Sequence, residues 1–584
     1  MSAYLDYLDG NGLPLRWAGR VRYVILDTGF GQGGQFLATL AAWRADPCPD
    51  GARQLHYIAL APDPACAGAM PEELRTQWPP AVPGLHRLSL DGGAVTLDLM
   101  PGQADACLAQ LEARVDAVYL AGPLRAATVL ARLMAPGATL AMPQPGLEPG
   151  REQERGALAA AGFVFGAGQP CAVFAGRQPQ PARAAPAGHR AIERRAIVIG
   201  AGLAGAAACE RLAARGWQLT LVERHAAPAQ EASGNLAGIF MPLLSKDDNP
   251  SSRLGRAAYL FALRHWQRLG GVGAAFAGAR CGVLQLARDP AHAALQRRIA
   301  AGAGYPPGYA RWLEREQASA LLGASAPDGA WLFEQGGWAR PSSVCQAMLD
   351  ACGARLERIF SSDVLALERR DGQWLLCGAG GVEIARAPTV ILANGCGATG
   401  LAQAAGLPLL KVRGQVTHLA GGILPPTPLV VCREAYMTPA ADGVVCVGAS
   451  YDADLEPGLR ASSQRDNLEK IAAILGLPAA PLLAAPLAGR TGFRCVAPDR
   501  LPLVGALPDA RACTTGRCER LRDVPRQPGL YGLLGYASRG LIWAPLAAEL
   551  LAAQLEGEPL PLEANLAAAL DPARFLLKEL RRQS

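Results

Sequence analysis

Residues 196–224 read AIVIGAGLAGAAACERLAARGWQLTLVER, and this stretch is the strongest indication of the fold in the chain. A short apolar strand runs into Gly200-x-Gly202-x-x-Gly205, an Ala-rich helix follows, and a second apolar strand ends at Glu223. In this pattern the glycines allow a tight turn, close approach to a pyrophosphate and close helix packing, while the helix N-terminus offers N–H groups to phosphate. The terminal acid is spaced to hydrogen-bond a ribose diol. The stretch therefore predicts a dinucleotide site.

Length and composition predict a multidomain globular protein. The chain has 584 residues, and one core stops growing at about 250 to 300, so two or three domains are expected. Hydrophobic residues make up 50% of the chain, which disfavours disorder. No apolar run long enough to cross a membrane and no leader pattern is apparent, so we expect neither membrane insertion nor secretion, and a cytoplasmic location.

The cysteines agree with that location. Fifteen are scattered without a Cys-x2-Cys pair, which predicts neither a metal site nor a disulfide framework. The net charge of +6 is compatible with a nucleic-acid partner without requiring one.

One boundary is visible in the sequence. Residues 166–195 are rich in Pro, Gly and Arg and lack periodicity, which is typical of a linker. We predict an α/β protein with a Rossmann-like domain at 1–175, a linker at 176–194, and a two-part cofactor domain at 195–584. A mixed-sheet substrate subdomain is inserted in that second domain.

Two further loops identify the dinucleotide. The small polar loop after Glu223 contains Ser233 and Asn235 and suits a flavin dinucleotide better than an open nicotinamide crevice. Far along the chain, a second loop precedes an apolar helix predicted from residue 544 to 555. The two loops contain no His, which favours non-covalent binding of the cofactor. These segments resemble the D-amino-acid-oxidase superfamily, and the resemblance implies that the dinucleotide is FAD. It also implies that the second loop approaches the flavin with Ser538, Arg539, Gly540 and Leu541.

The same resemblance supplies substrate residues. Residues 491–505, TGFRCVAPDRLPLVG, resemble the glycine-oxidase segment whose arginine holds the substrate carboxylate, which implies that Arg494 is that clamp. Tyr436 matches a tyrosine that assists at the carboxylate. Two plainer interpretations remain open: Arg494 as a structural ion-pair partner and Tyr436 as a packed strand residue.

A second strand-turn-helix pattern lies near the start of the chain. Residues 23–40 read YVILDTGFGQGGQFLATL, the form expected where a methyltransferase holds the methionine part of S-adenosylmethionine. The candidate residues are Asp27, Gly29, Gly31 and Gly33. The strand predicted at 55–60 should end in an acid for the adenosine ribose, but Ala61 stands there.

A methyltransferase-like unit followed by an FAD unit resembles the MnmC family of bifunctional tRNA 5-methylaminomethyl-2-thiouridine biosynthesis proteins. Segments that resemble the family occur along nearly the whole chain, among them residues 7–16, 84–98, 242–246, 335–338, 392–395, 414–416, 448–451 and 538–541. The resemblance implies that the FAD unit removes the carboxymethyl group from 5-carboxymethylaminomethyl-2-thiouridine at the tRNA wobble position. The first unit would then methylate the resulting amine.

The first unit departs from that family at three points. It lacks the segment that usually precedes the entry strand, it has Ala61 in place of the ribose acid, and it has Ala121-Gly122-Pro123 in place of an acidic strand end and its loop. The chain is predicted to enter a helix directly at Leu124. The lost acid could have held or deprotonated the substrate amine. These departures favour a retained fold that still docks tRNA without methyl transfer, and a working methyltransferase is the alternative.

Two other functions remain compatible with the sequence. One is a free small-amine oxidase of the glycine or sarcosine type, and the other is a scaffold in which both units only bind. The oligomeric state is open, although two units that process one nucleoside in succession need no symmetry partner.

Overall fold

The computed structural model describes residues 7–46, 53–142, 151–166, 169–176, 193–515 and 518–583. Contacts divide the chain into two units, Met1–Arg190 with Ala553–Ala568, and Ala191–Ala552 with Ala569–Ser584. Residues 177–192, most of the predicted linker, lie outside the described residues.

The first unit is built on an eight-stranded sheet in the order β3-β4-β2-β1-β5-β6-β8-β7. Its five central strands are parallel because helical crossovers connect them, and they are apolar and buried. The strands are β1 (Arg22–Asp27), β2 (Gln54–Leu60), β3 (His86–Leu90), β4 (Val95–Met100), β5 (Val115–Tyr119), β6 (Met134–Ala141), β7 (Phe163–Phe165) and β8 (Cys171–Phe174). The helices are α1 (Gly34–Ala45), α2 (Glu72–Arg75), α3 (Ala104–Ala109), α4 (Ala127–Leu133) and α5 (Arg151–Ala160).

Helix α4 begins at Ala127, so the predicted start at Leu124 was wrong. The N–H groups of the intervening residues are held by side chains from other segments. Leu124 donates to Glu154 Oε1 at 2.7 Å, and Ala126 donates to Asp105 Oδ1 at 3.0 Å. These bonds satisfy backbone donors in the segment that leads into the helix.

The segment Ala553–Ala568 groups with the first unit, whereas the sequence had assigned it to the second domain. Its backbone provides the reason. Leu560 N–H donates to Glu112 O at 3.0 Å, and the buried Arg87 donates from Nη2 to Pro559 O at 2.7 Å. Contacts so distant in sequence leave no periodic pattern in the sequence.

The second unit contains a six-stranded sheet in the order β17-β10-β9-β21-β28-β27. Five strands are parallel, and β27 is antiparallel to its neighbour. The strands are β9 (Arg195–Ile199), β10 (Gln218–Val222), β17 (Leu356–Ile359), β21 (Thr389–Leu392), β27 (Leu503–Pro508) and β28 (Arg526–Leu534). The sheet gathers segments that lie more than 300 residues apart, so the predicted split of this domain around an insertion is confirmed.

The insertion contains an eight-stranded mixed sheet in the order β14-β15-β13-β23-β24-β25-β22-β26. Its strands are β13 (Val283–Leu286), β14 (Arg311–Leu313), β15 (Ala330–Phe333), β22 (Leu410–Ala420), β23 (Val430–Cys432), β24 (Tyr436–Met437), β25 (Val444–Gly448) and β26 (Ala488–Val496). Two three-stranded sheets comprise β11 (Gly238–Phe240), β12 (Gly278–Ala279) and β16 (Gly337–Ala339), and β18 (Ala366–Arg370), β19 (Gln373–Cys377) and β20 (Glu383–Ala387).

Some of the remaining helices begin at a residue whose side chain caps the first turn. Asn249, for example, accepts from Ser252 N–H at 3.1 Å and precedes a proline at the first helical position. The remaining helices are α6 (Leu203–Ala213), α7 (Pro250–Arg268), α8 (Pro290–Ala303), α9 (Arg315–Leu322), α10 (Pro341–Asp350), α11 (Ala461–Leu475), α12 (Ala479–Leu483), α13 (Gly540–Glu556), α14 (Ala564–Leu570) and α15 (Arg574–Gln583). Among the described residues, no helix combines the length and apolar character needed to cross a membrane. The described residues also contain no group of three or more His, Cys, Asp or Glu side chains that could hold a metal ion.

Candidate active site

The turn between β9 and α6 has the geometry that its glycines predict. Gly200 has a φ of +103°, and a Cβ built on Gly205 would lie 1.8 Å from the carbonyl oxygen of Gly200. Gly202 precedes the helix, and Leu203 N–H in its first turn donates to Ser233 Oγ at 3.1 Å. Helix and turn therefore approach so closely that only glycine fits, and the helix N-terminus faces the Ser233 loop.

Glu223 lies at the end of β10 beside this turn and is 8% exposed. Its Oε2 accepts from Ala201 N–H at 2.7 Å, and its Oε1 accepts from His225 N–H at 3.0 Å. Each carboxylate oxygen thus has one protein donor and retains lone-pair capacity for a hydroxyl. A tight glycine turn, an open helix start and an acid at the second strand end fit the adenosine diphosphate part of FAD.

The predicted C-terminal loop lies against the same region. A Cβ on Gly540 would lie 3.2 Å from a methyl carbon of Leu203, and one on Gly238 would lie 2.7 Å from a methyl carbon of Leu541. Ser538 is exposed, and helix α13 begins two residues later, at Gly540, rather than at 544 as predicted. The tertiary structure thus brings the two cofactor loops together across more than 300 residues of sequence.

The inserted sheet presents a row of side chains on one of its faces. Residues paired directly across neighbouring strands share a face. The paired residues are Trp331, Gln285, Cys432, Tyr436, Gly448, Val416 and Arg490 in that order, and Arg494 lies four residues beyond Arg490 on the same strand. The two predicted substrate residues, Arg494 and Tyr436, are therefore on one face.

Arg494 is held by backbone carbonyls. Its Nη1 donates to Arg413 O and to Ser450 O, each at 3.2 Å, and its guanidinium carbon lies 4.9 Å from the ring centre of Tyr451. The guanidinium packs over Gly414, where any Cβ would collide with it. Within the described residues it has no ion-pair partner, and burial lowers its pKa. Its Nε and Nη2 are left for a further acceptor.

Tyr436 lies three strands away from Arg494 in the sheet. Its ring crosses Gly448, from which a Cβ would stand 3.5 Å from the tyrosine Oη. Burial raises the pKa of Tyr436, which keeps the phenol protonated over the working pH range. The hydroxyl is therefore a hydrogen-bond donor.

Sequence reasoning missed Arg490, which connects the sheet to the cofactor loop. Its Nη2 donates to Gln230 O at 2.6 Å and Glu231 O at 2.7 Å, and its Nη1 lies 3.4 Å from Asn235 Oδ1. The available signal was the alternation along β26, because residues two and four apart on a strand share a face. Ser233 and Asn235 are therefore fixed between helix α6 and the substrate sheet.

In the first unit, the predicted S-adenosylmethionine loop follows β1. Asp27 is fully buried and accepts from Gly29 N–H at 3.0 Å and from Tyr57 Oη at 2.7 Å, and burial raises its pKa to about 6. Gly31 and Gly33 have φ values of +51° and +80°. The Asp27 carboxylate thus holds the start of the glycine loop, the part predicted to bind the methionine portion of S-adenosylmethionine.

The ribose end of that cradle differs from the family pattern. Ala61 follows β2 with a φ of +49° and donates its N–H to Met100 O. Ala121 lies directly against the loop, since a Cβ on Gly29 would be 2.8 Å from the Ala121 methyl carbon. The loop therefore fits the methionine part of S-adenosylmethionine, but no carboxylate stands at position 61 to hold the ribose.

Family models match both units. One described as FAD dependent oxidoreductase covers residues 195–554, and one described as S-adenosyl-L-methionine-dependent methyltransferase covers residues 67–126. The matches confirm an FAD-dependent oxidoreductase and support S-adenosylmethionine as the cofactor type of the first unit.

Solved structures share the fold of the second unit. Glycine oxidase from Geobacillus kaustophilus aligns with a TM-score of 0.54 at 21% identity over 65% of this chain and 99% of its own. Iminodiacetate oxidase from Chelativorans sp. BNC1 aligns with a TM-score of 0.50 at 25% identity over 63% of this chain and 96% of its own. The predicted two-part FAD domain with a mixed-sheet subdomain is confirmed.

Curated relatives match the whole chain. The tRNA 5-methylaminomethyl-2-thiouridine biosynthesis bifunctional protein MnmC of Azoarcus sp. (strain BH72) is 44% identical over 99% of this chain and 94% of its own length. The protein of the same name from Burkholderia thailandensis is 43% identical over 99% of this chain and 93% of its own. At such identity over both units, the chain belongs to the MnmC family of bifunctional proteins.

Proposed function

We propose that the second unit oxidatively removes the carboxymethyl group from 5-carboxymethylaminomethyl-2-thiouridine in tRNA and leaves the aminomethyl nucleoside. The observation that carries this proposal is the free Nε and Nη2 edge of Arg494, a half-buried guanidinium on the sheet face that Arg490 connects to the Ser233 loop. A carboxymethylamino group is a glycine whose nitrogen carries the nucleoside. The names of the curated relatives supply the tRNA nucleoside.

Arg494 and Tyr436 orient the substrate. The two free guanidinium nitrogens form a bidentate pair with the carboxylate, and the protonated Tyr436 hydroxyl donates a further bond to it. Fixing one geometry removes much of the orientational entropy cost of the reaction.

Gly200, Gly202, Gly205 and Glu223 hold the adenosine diphosphate part of FAD, with Ser233, Asn235, Ser538, Arg539, Gly540 and Leu541 around the flavin. When bound, FAD supplies a two-electron acceptor for the hydride that leaves the methylene carbon. The substrate imine that remains takes up one water and separates into glyoxylate and the primary amine. Iminodiacetate, the substrate named for one structural neighbour, is likewise a secondary amine with a carboxymethyl group.

The first unit, residues 1–175, is a methyltransferase-like domain joined through residues 176–194 to the oxidoreductase domain at 195–584. Asp27, Gly29, Gly31 and Gly33 form its S-adenosylmethionine loop. Because Ala61 lacks a carboxylate, this unit serves chiefly to dock tRNA. We place the oxidation in the cytoplasm, where tRNA is modified.

The test is incubation of the full chain, loaded with FAD, with tRNA that contains 5-carboxymethylaminomethyl-2-thiouridine, followed by mass analysis of the digested nucleosides. The expected product is lighter by a carboxymethyl group, and one glyoxylate appears for each nucleoside converted. An unchanged nucleoside would defeat the proposal. Turnover of free glycine or sarcosine with no action on the tRNA would instead indicate a small-amine oxidase.

A further inference from the structure

A cavity of about 110 Å³ lies on the sheet face beyond Tyr436. Gln285, Trp331 and Gln296 line it from the insertion, Arg539 lines it from the C-terminal loop, and residues 241–244 close the remaining side. The catalytic proposal above does not use this cavity.

Two polar side chains that line the cavity have no protein partner among the described residues. Within the described residues, neither the carboxamide of Gln285 nor the guanidinium of Arg539 makes a hydrogen bond or ion pair. Gln296 differs, because its Oε1 accepts from Trp331 Nε1 at 2.6 Å and its Nε2 lies 2.8 Å from His292 Nε2. The side chains of Gln285 and Arg539 are half-buried and remain available to hydrogen-bond a ligand in the cavity.

The distance from Tyr436 to the cavity is close to the length of the substrate. Tyr436 and Gln285 lie on strands separated by two spacings, or about 9.5 Å at the usual 4.7 to 4.9 Å per spacing. Four bonds connect the substrate carboxylate carbon to C5 of the pyrimidine and span roughly 5 Å, and the ring adds about 3 Å. The length of the substrate therefore allows the ring to reach Gln285 when its carboxylate is bound at Tyr436.

Arg539 lines the cavity together with Gln285 and brings the positive charge of its guanidinium to it. In a 5-substituted pyrimidine the C4 carbonyl is adjacent to the substituent, and the ring N3–H is one atom farther. O4 and N3–H are therefore neighbouring groups that the two side chains can bond together.

We propose that this cavity binds the pyrimidine ring of the wobble nucleoside, with Gln285 pairing to N3–H and O4 and Arg539 donating to O4. Trp331 and the apolar side chains of residues 242–244 form the walls. The inference rests on the proposed function and names the residues that distinguish a nucleoside from a simple N-alkylglycine. Gln285 is thus a specificity-determining residue.

The test compares two substrates in the full FAD-loaded chain. One is tRNA with the carboxymethylaminomethyl nucleoside, and the other is N-ethylglycine, which has the same carboxymethylamino group and no base. Anaerobic reduction of the flavin gives kcat/KM for each. For Gln285→Leu we expect roughly a 10- to 100-fold loss with the tRNA, as for loss of one bidentate base contact, and a much smaller loss with N-ethylglycine.

Gln346→Leu is the matched control, since Gln346 is exposed on α10 and bonds only Asp350 among the described residues. Should Gln285→Leu lose flavin, Gln285→Glu keeps the size of the side chain and is expected to show the same selective loss, because it cannot donate to O4. Equal losses with both substrates, or none with the tRNA, would overturn the inference and leave the proposed function intact. Failure of the wild-type chain to be reduced by the tRNA would overturn both.

Discussion

Replacing Arg494 with lysine tests the carboxylate clamp most directly. The structure divides the guanidinium between two tasks. Nη1 is occupied by two backbone carbonyls at 3.2 Å, and Nε with Nη2 remain for substrate. Lysine keeps the positive charge but has one nitrogen. It can bond the carbonyls or the carboxylate in good geometry, but not both.

The expected loss follows from the bonds that disappear. A hydrogen bond to a charged group contributes about 1.5 to 3 kcal/mol, and Arg494→Lys removes at least one of the two bonds to the carboxylate. Contact with the Tyr451 ring is also lost. At about 1.4 kcal/mol per factor of ten, we expect kcat/KM to fall roughly 10- to 150-fold. Both kcat and KM should change, because a carboxylate held by one bond is bound less tightly and oriented less well.

The assay is anaerobic flavin reduction by tRNA with the carboxymethylaminomethyl nucleoside, with flavin content measured for each preparation. Arg311→Lys is the control, because Arg311 lies on the same sheet in an exposed ion pair with Glu334 at 3.2 Å. Its kcat/KM should stay within about twofold of wild type, as expected for a surface pair of small energy. If Arg494→Lys retained full flavin and stayed within threefold of wild type, the carboxylate clamp would be refuted.

Three further predictions concern the cofactor sites. Gly205→Ala should yield protein largely without flavin, because its Cβ must move roughly 1.5 Å from the Gly200 carbonyl, whereas Gly406→Ala, in open space, should bind flavin normally. Asp27→Asn should remove a pH dependence of stability. The pKa of Asp27 is raised from 3.8 to about 6, so the wild type loses about 3 kcal/mol of stability as pH rises through that window. The melting temperature of the variant relative to that of the wild type should therefore increase from pH 4 to 7. If the difference in melting temperature between variant and wild type were the same at pH 4 and pH 7, Asp27 would not be a buried group that ionises in this range. Calorimetric titration of the full chain with S-adenosylmethionine should show no micromolar binding, and Ala61→Asp, an acid that tolerates the left-handed φ of 49°, should tighten it. Micromolar binding by the wild type would show that the ribose needs no acid there.

Local patterns made much of the second unit predictable. The strand predicted at 218–222 is observed, and the one predicted from 196 to 199 begins one residue earlier. Leu124 shows where such reasoning failed, because helix α4 begins three residues later and the N–H groups before it bond side chains from other segments. The grouping of Ala553–Ala568 with the first unit could not be predicted either, because the backbone partners of this segment lie more than 400 residues away.

The sequence by itself determined the two cofactor turns, because Gly200, Gly202, Gly205 and Glu223 act within one strand-turn-helix-strand unit whose geometry depends on near neighbours. Only the tertiary structure decided which side chains share the substrate face. Arg494, Tyr436 and Gln285 come from three strands that are neither adjacent in sequence nor consecutive in the sheet, and strand register places them on one face. Register follows from packing across the whole sheet, and a shift of one residue would have directed each of these side chains to the opposite face.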